Sequence, residues 1–200
     1  MKHRSTDNTI AVRTVVGAHA VSRSQTRLAL FSIGFALATV VAAHVKLYLP
    51  FTPVPVTMQT SVVLLAGLCL GVRWGSMSQV GYLALGALGL PAFAGGLAAM
   101  AGPNGGYLIG FVVAAAVAGW IYSVWRSTAG AVLACLVATS VIYLFGCLWL
   151  ARIAGGSAVH VLATGVVPFL AGDMLKMAMV LLLVRGPFTG AWMRRIFHHN

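Results

Sequence analysis

Between Arg126 and Arg152 the sequence reads STAGAVLACLVATSVIYLFGCLWLA (residues 127–151), a run of 25 residues without a charge. A helix crosses the bilayer core with about 20 apolar residues, so this run is long enough for one membrane span. Strands of a membrane β-barrel would alternate apolar and polar residues, and this run does not alternate. Residues 74–125 form another uncharged stretch, of 52 residues, enough for two spans and a loop. The sequence therefore predicts an all-α integral membrane protein.

The overall composition supports this class and argues against others. Hydrophobic residues make up 60% of the chain and charged residues only 8%, whereas globular domains carry about 25% charged residues. The net charge is +11, but no basic stripe is interleaved with aromatic residues, so we expect no nucleic-acid partner. Three cysteines, Cys69, Cys135 and Cys147, lie singly in apolar runs and predict neither a disulfide framework nor a metal site.

Six membrane spans are predicted, over residues 28–45, 57–72, 74–93, 106–125, 129–151 and 161–184. Pro168 falls in the first turns of the last span or at a kink in it. Six spans place both termini on one side, which then carries ten basic residues against two, Lys46 and Arg152, on the other. Because basic residues concentrate on the cytoplasmic side, both termini are predicted to be cytoplasmic. We expect an N-terminal tail over 1–27, a membrane domain over 28–185 and a basic C-terminal tail over 186–200.

Two connections on the opposite side differ from simple loops. The first, Leu47–Val56, holds three prolines, which fix φ and remove backbone donors, so it is predicted to be extended. The second, Gly89–Gly105, is long, uncharged and rich in glycine and alanine. Its length indicates a functional loop, and its apolar character predicts that it folds back onto the helices.

The membrane region contains a single acid, Asp173, and a single intramembrane lysine, Lys176. Residues three apart share a helix face, so the two can pair. Ionisable groups inside a membrane are costly and usually functional, which predicts that both line a polar pocket and contact a ligand. A structural ion pair that stabilises the bundle is the alternative. Gly172, just before the acid, would allow close approach of a ligand or simply of another helix.

The first predicted span carries small residues every four positions, at Gly34, Ala38 and Ala42. Such spacing favours close helix contact, either within the bundle or with a partner membrane subunit. The sequence has no G-x-x-x-x-G-K-[ST] phosphate loop, no H-E-x-x-H zinc motif and no second intramembrane acid. These absences argue against an enzyme.

The segment PFTPVPVTMQTSVVLLAGLCLG (50–71) closely resembles the BioY family, the biotin-specific substrate-binding subunits, or S components, of energy-coupling factor (ECF) transporters. The resemblance continues through YLALGALGLPAFAGG (82–96), GPNGGYLIGF (102–111) and GDMLKMAM (172–179) and covers about 36–184. One departure is Asn104, where threonine is common in the family. The resemblance implies six helices in the bacterial cytoplasmic membrane and binding without catalysis or a cofactor. It also implies a membrane coupling subunit and ATPase subunits as partners.

The resemblance gives roles to the residues singled out above. Biotin has a ureido ring with two N–H donors and one carbonyl, an apolar thioether ring and a carboxylate tail. We expect Asp173 to accept from the ureido ring and Lys176 to donate to it. The other predicted binding residues are Asn104, Gln59, Gly172, Tyr107 and Phe93, with Met58 as a further apolar wall. Gly34, Ala38 and Ala42 would form the docking surface for the coupling subunit.

Several alternatives remain open on the sequence. Lys46, loop backbone N–H groups or water could bind the biotin carboxylate, or Lys176 could bind it with the ligand reversed. The protein could be an S component for another small vitamin, or a membrane assembly protein without a ligand. A homo-oligomer within the lipid bilayer is also possible on these residues alone.

Overall fold

A computed structural model describes residues 4–93, 96, 98–155 and 157–186, with side chains from residue 24 onward. The helices are α1 Arg4–His44, α2 Gln59–Ala87, α3 Ala98–Ala101, α4 Gly105–Val124, α5 Thr128–Ala154, α6 Ala158–Gly165 and α7 Val167–Arg185. Two short strands, β1 Lys46–Leu47 and β2 Val56–Thr57, pair antiparallel between α1 and α2. The two strands lie at the two ends of the predicted extended connection and close it into a small β-hairpin. The proline pattern did not indicate this pairing.

Helix α2 reverses its direction at Gly71, so that residues 59–70 and 72–87 form a helical hairpin. Gly71 has φ 75° and ψ −171°, a conformation open essentially to glycine alone. The Nε2 group of Gln59 donates to the hydroxyl of Tyr82, although 23 residues of straight helix would separate them by about 34 Å. A Cβ on Gly75 would lie 3.0 Å from Gly67 Cα, on the other arm of the hairpin. The two arms match the predicted second and third spans.

Within the described part of the chain, five helical segments are long and apolar enough to cross a membrane: Ser24–His44, Gln59–Ala87, Gly105–Val124, Thr128–Ala154 and Ala158–Arg185. Because the second of these doubles back at Gly71, the chain makes six passes, as the sequence predicted. Exposed apolar side chains such as Leu30, Val41, Leu148 and Leu182, each more than 60% exposed, cover the outside of the bundle. A multi-pass membrane protein follows from these lengths and surfaces.

Successive passes alternate in direction and define two ends of the bundle. The starts of the first pass and of α5, the reversal of α2 and the end of α7 lie together at one end. We call it the basic end, because it carries Arg27, Arg73, Arg126 and Arg185. The opposite end, which holds the β-hairpin, α3 and the start of α4, is called the pocket end. Which end faces the cytoplasm stays a prediction.

Proline shapes the last pass. The helix breaks at Val166, with φ −126° and ψ −57°, and α7 restarts with Pro168 in its first turn, which confirms the predicted kink. At the break the N–H of Phe169 donates to the carbonyl of Val166. The carbonyl of Gly165 therefore loses its usual helical donor, and the Tyr107 hydroxyl donates to it instead at 2.8 Å.

Two predicted boundaries differ from the ends of the helices. The third span was expected to end at residue 93 but ends at Ala87, because Gly89 has φ +86° and Pro91 follows. Residues 88–93 fold back as loop, and Ala92 and Phe93 are buried as the apolar composition predicted. Helix α1 runs through the predicted boundary at residue 27 without a break. The limits of the three predicted segments stay predictions, and residues 187–200 lie outside the described part.

Candidate ligand-binding site

A cavity with an empty volume of about 560 Å³, its mouth included, lies at the pocket end of the bundle. The β-hairpin region, the folded-back loop over residues 88–93, helix α3 and helices α2, α4, α5 and α7 contribute to its walls. Its lining comprises Val54, Pro55, Thr57, Gln59, Thr60, Phe93, Ala99, Asn104, Tyr107, Leu108, Phe111, Ile142, Tyr143, Phe169, Asp173 and Lys176. A few polar groups among many apolar ones is the usual pattern of a small-molecule site.

The charged part of the lining is a compact group on α7 and α5. Lys176 Nζ lies 2.7 Å from Asp173 Oδ1, and the two residues are only 7% and 5% exposed. The Tyr143 hydroxyl donates to Asp173 Oδ2 at 2.6 Å. Spacing of three residues places acid and lysine on one face of α7, as predicted. Each carboxylate oxygen retains a lone pair for another donor, and the ammonium group retains two further N–H donors.

The amide side chains of Asn104 and Gln59 extend the polar lining, and they differ in how many hydrogen bonds they already make. The Asn104 Oδ1 atom is buried and accepts no hydrogen bond from the described residues. A buried acceptor without a partner costs free energy, so a ligand donor there would relieve that cost. Gln59 is held from both sides, since its Oε1 accepts from Thr57 Oγ1 at 2.9 Å and its Nε2 donates to Tyr82.

The apolar walls are held by contacts between aromatic rings. Phe93, brought in by the folded-back loop, packs edge-on against Tyr82 with ring centroids 5.3 Å apart. Tyr107 lies 6.4 Å from the ring of Phe169, while its hydroxyl is held by Gly165. Both arrangements fix flat, apolar surfaces beside the charged group.

Six of the seven predicted binding residues line this cavity: Asp173, Lys176, Asn104, Tyr107, Gln59 and Phe93. Gly172 does not, and the nearest neighbour of a Cβ placed there would be Val56 Cγ1 at 3.9 Å. Met58 and Lys46, the further candidates for an apolar wall and a carboxylate partner, also lie outside the lining. Lys46 is exposed, with its Nζ 5.5 Å from the ring centroid of Tyr48.

The sequence reasoning missed Tyr143 and Phe169. Tyr143 is 30 residues from Asp173 along the chain, so no local spacing connects them. The available signal was a tyrosine in the middle of the quoted apolar run, since a buried hydroxyl needs a partner. Phe169 gave no signal beyond its apolar character.

The predicted docking residues on α1 divide into two groups. Gly34 and Ala38 are exposed, and no atom of a described residue lies within 4 Å of a Cβ placed on Gly34. Ala42 is only 6% exposed and packs within the bundle. Their role in docking stays a prediction. Among the described residues, no group of three His, Cys, Asp or Glu side chains comes together to hold a metal ion.

A six-pass helical bundle with a mixed polar and apolar cavity at one end defines a membrane-embedded small-molecule-binding protein. The model of the BioY family matches residues 13–191, so the match begins and ends further out than the motifs did. The chain belongs to the BioY family.

Individual relatives agree with this assignment. The chain is 42% identical over 134 residues to the probable biotin transporter BioY of Pyrococcus horikoshii, covering 66% of this chain and 78% of the relative. It is 33% identical to the biotin transporter BioY of Thermotoga maritima, over 74% of this chain and 88% of that one. The crystal structure of the S component for biotin from an ECF-type ABC transporter superposes with a TM-score of 0.74. It shares 24% identity over 82% of this chain and 91% of its own, which establishes the fold.

Proposed function

We propose that this protein binds biotin and takes it up across the bacterial cytoplasmic membrane as the substrate-binding subunit of an ECF-type transporter. The observation that carries the proposal is the buried group of Asp173, Lys176 and Tyr143 facing the cavity of a BioY family member. Relatives of the chain are named as biotin transporters, which supports the same substrate.

The chemistry of the cavity matches the ureido end of biotin. Asp173 can accept one ureido N–H, and Asn104 Oδ1, to which no described residue donates, can accept the other. Lys176 can donate to the ureido carbonyl. The aromatic walls of Tyr107 and Phe93 suit the apolar thioether ring. Hydrogen bonds already hold Asp173, Lys176 and Tyr143 in place, so a ligand binds to them without the cost of ordering these side chains.

Charge favours one orientation of biotin over its reverse. Lys176 is the one cation among the described lining residues and is already paired with Asp173, so the pair is neutral as a unit. A biotin carboxylate at the same place would set two negative charges against one positive charge in a buried site. We therefore propose that the ureido ring lies at the pair and the carboxylate lies toward the mouth of the cavity.

Equilibrium binding of labelled biotin to the purified protein in detergent tests both proposals. Unlabelled biotin should compete, and riboflavin and thiamine should not. Biotin methyl ester should bind nearly as well as biotin, whereas methylation of a ureido nitrogen should weaken binding strongly. Strong loss with the ester and little with the ureido analogue would reverse the orientation. Absence of saturable binding to folded protein would refute biotin as the ligand.

Uptake against a gradient requires energy, and this sequence has no phosphate loop for ATP. We propose that a membrane coupling subunit and separate ATPase subunits supply it, and that Gly34 and Ala38 dock the coupling subunit. Leucine at either position should lower biotin uptake by cells and leave binding by the purified protein unchanged. Ala178→Leu, at another exposed small residue in a membrane helix, is the matched control. Equal uptake by all three variants would exclude this docking surface.

We also propose that the basic end faces the cytoplasm, following the distribution of basic residues. A green fluorescent protein fused after Asn200 should then fluoresce, because it folds in the cytoplasm. A periplasmic reporter such as alkaline phosphatase should stay inactive at the same position. The reverse pattern would invert the proposed orientation.

A further inference from the structure

Trp149 of α5 is tied to the turn that precedes α4. Its indole N–H donates to the carbonyl of Gly102 at 2.9 Å, although the two residues are 47 apart in the chain. The approach is close, since a Cβ on Gly106 would collide with Trp149 Cβ, and one on Gly105 would lie 2.9 Å from Trp149 Nε1. Trp149 does not line the ligand cavity, so any influence it has on a ligand acts through the turn.

The turn sets the backbone of Asn104. The N–H of Gly105 donates to the same carbonyl of Gly102 at 3.1 Å, which closes a β-turn. Pro103 occupies the second position, where its fixed φ suits the turn, and Asn104 occupies the third with φ −82° and ψ −16°. A type I turn has about −90° and 0° at that position, so the turn accounts for these angles. Trp149 therefore holds the first residue of the turn that fixes Asn104.

This conformation keeps the Asn104 side chain from capping its own helix. Asparagine is among the best N-cap residues, but a capping side chain reaches the helix N–H groups from an extended backbone. Ser127 and Ser157 have such a backbone, and their hydroxyl groups cap α5 and α6. Asn104, at the N-cap of α4, has helical angles and makes no capping hydrogen bond. Its Oδ1 is buried at the cavity without a donor among the described residues, so it is left for a ligand.

We propose that Trp149 is a positioning residue for ligand binding, which holds the turn so that Asn104 Oδ1 faces the cavity and not the start of α4. The inference rests on the proposed function, in which this oxygen accepts a ureido N–H of biotin. Without the indole N–H, the turn can open and Asn104 can adopt the extended backbone of a cap. The helix then takes the oxygen that the ligand requires.

Thermal unfolding without ligand tests this restraint directly. Trp149→Phe keeps an aromatic ring and removes the N–H donor. In the parent, Asn104→Ala removes no cap and should not lower the melting temperature. In the Trp149→Phe background Asn104 becomes a cap, so the same substitution should lower the melting temperature by about 2–4 °C. An equal effect of Asn104→Ala in both backgrounds would overturn the proposal, whatever ligand the protein binds.

Biotin titration of the same four proteins tests the consequence for binding. Trp149→Phe and Asn104→Ala should each weaken binding roughly 2- to 12-fold, the effect of one hydrogen bond. The double variant should bind no more weakly than Asn104→Ala alone, because both changes remove the same acceptor. A tryptophan with a purely structural role would multiply the two losses, and that result would overturn the proposal. Unchanged affinity in Trp149→Phe beside a weakened Asn104→Ala would overturn it as well.

Trp120→Phe is the matched control, since Trp120 is 62% exposed and lies outside the cavity lining. It should change neither the affinity for biotin nor the effect of Asn104→Ala. If Trp149→Phe fails to fold, Pro103→Gly loosens the same turn at its second residue and should reproduce both results. Absence of biotin binding by the folded parent would refute the proposed ligand, and the unfolding comparison would still decide whether Trp149 restrains Asn104.

Discussion

The Asp173→Asn substitution removes the counter-charge of Lys176 and changes almost nothing in volume. The lysine is only 7% exposed and its Nζ lies 2.7 Å from the lost carboxylate, so its charge is left buried without compensation. Removing one partner of a buried ion pair typically costs about 3–5 kcal/mol of folding stability. The Tyr143 hydroxyl also loses its charged acceptor at 2.6 Å. We expect a lower melting temperature for the purified variant.

Biotin binding should fall by a separate amount. Hydrogen bonds to charged groups contribute about 1.5–3 kcal/mol each. Loss of one such bond to a ureido N–H corresponds to an affinity roughly 10 to 150 times weaker. The double variant Asp173→Asn, Lys176→Met removes the buried charge together with its partner. It should recover much of the stability of the parent and none of its affinity for biotin.

The assay compares thermal unfolding and labelled-biotin binding for the parent, the single variant and the double variant in one detergent. Asp7→Asn is the matched control, since Asp7 is the other acid of the chain and lies outside the predicted membrane domain. Parent-like affinity in the double variant would refute the role of the pair in binding and leave a structural ion pair. A single variant that melts like the parent would refute the energetic argument.

Three further substitutions test other parts of the reasoning. Tyr143→Phe removes the hydroxyl bonded to Asp173 and should weaken biotin binding about 5- to 50-fold, measured by the same titration. Gly71→Ala forces a side chain into φ 75° at the α2 reversal and should lower stability by about 1–3 kcal/mol in thermal unfolding. Gly146→Ala places a Cβ in steric conflict with the Tyr107 ring. That ring must then shift, so the loss of binding free energy for biotin should exceed the loss of folding stability.

Each of these has a matched control in the chain. Tyr122→Phe changes a tyrosine at the basic end, and parent-like binding is expected. Gly34→Ala adds a Cβ to α1 with nothing within 4 Å and should leave stability unchanged. Gly172→Ala adds one whose nearest neighbour is 3.9 Å away and should leave biotin affinity unchanged. If a variant and its control changed biotin binding or stability equally, the change could not be assigned to the contacts of the substituted residue.

The membrane class, the number of passes and the charged pair could all be predicted from the sequence. Hydrocarbon thickness sets the length of a span, so uncharged runs locate the helices without tertiary information. Helical spacing alone placed Asp173 and Lys176 on one face of α7. A single acid in an otherwise acid-free membrane region also predicted that this face lines a pocket, and both side chains do line the cavity. The missed end of the third span shows the limit, because a glycine at positive φ ends a helix inside an apolar stretch.

Only the tertiary structure decided what surrounds that pair. Tyr143 reaches Asp173 because α5 and α7 pack together, and Phe93 enters the cavity because its loop folds back onto Tyr82. It also separated Gly172, which lies outside the cavity, from its neighbour Asp173 within it. Span lengths and helix faces depend on residues close in sequence, so local sequence patterns are enough to predict them. Contacts between different passes, or between a loop and a helix, depend on how all six passes pack at once, which no local pattern specifies.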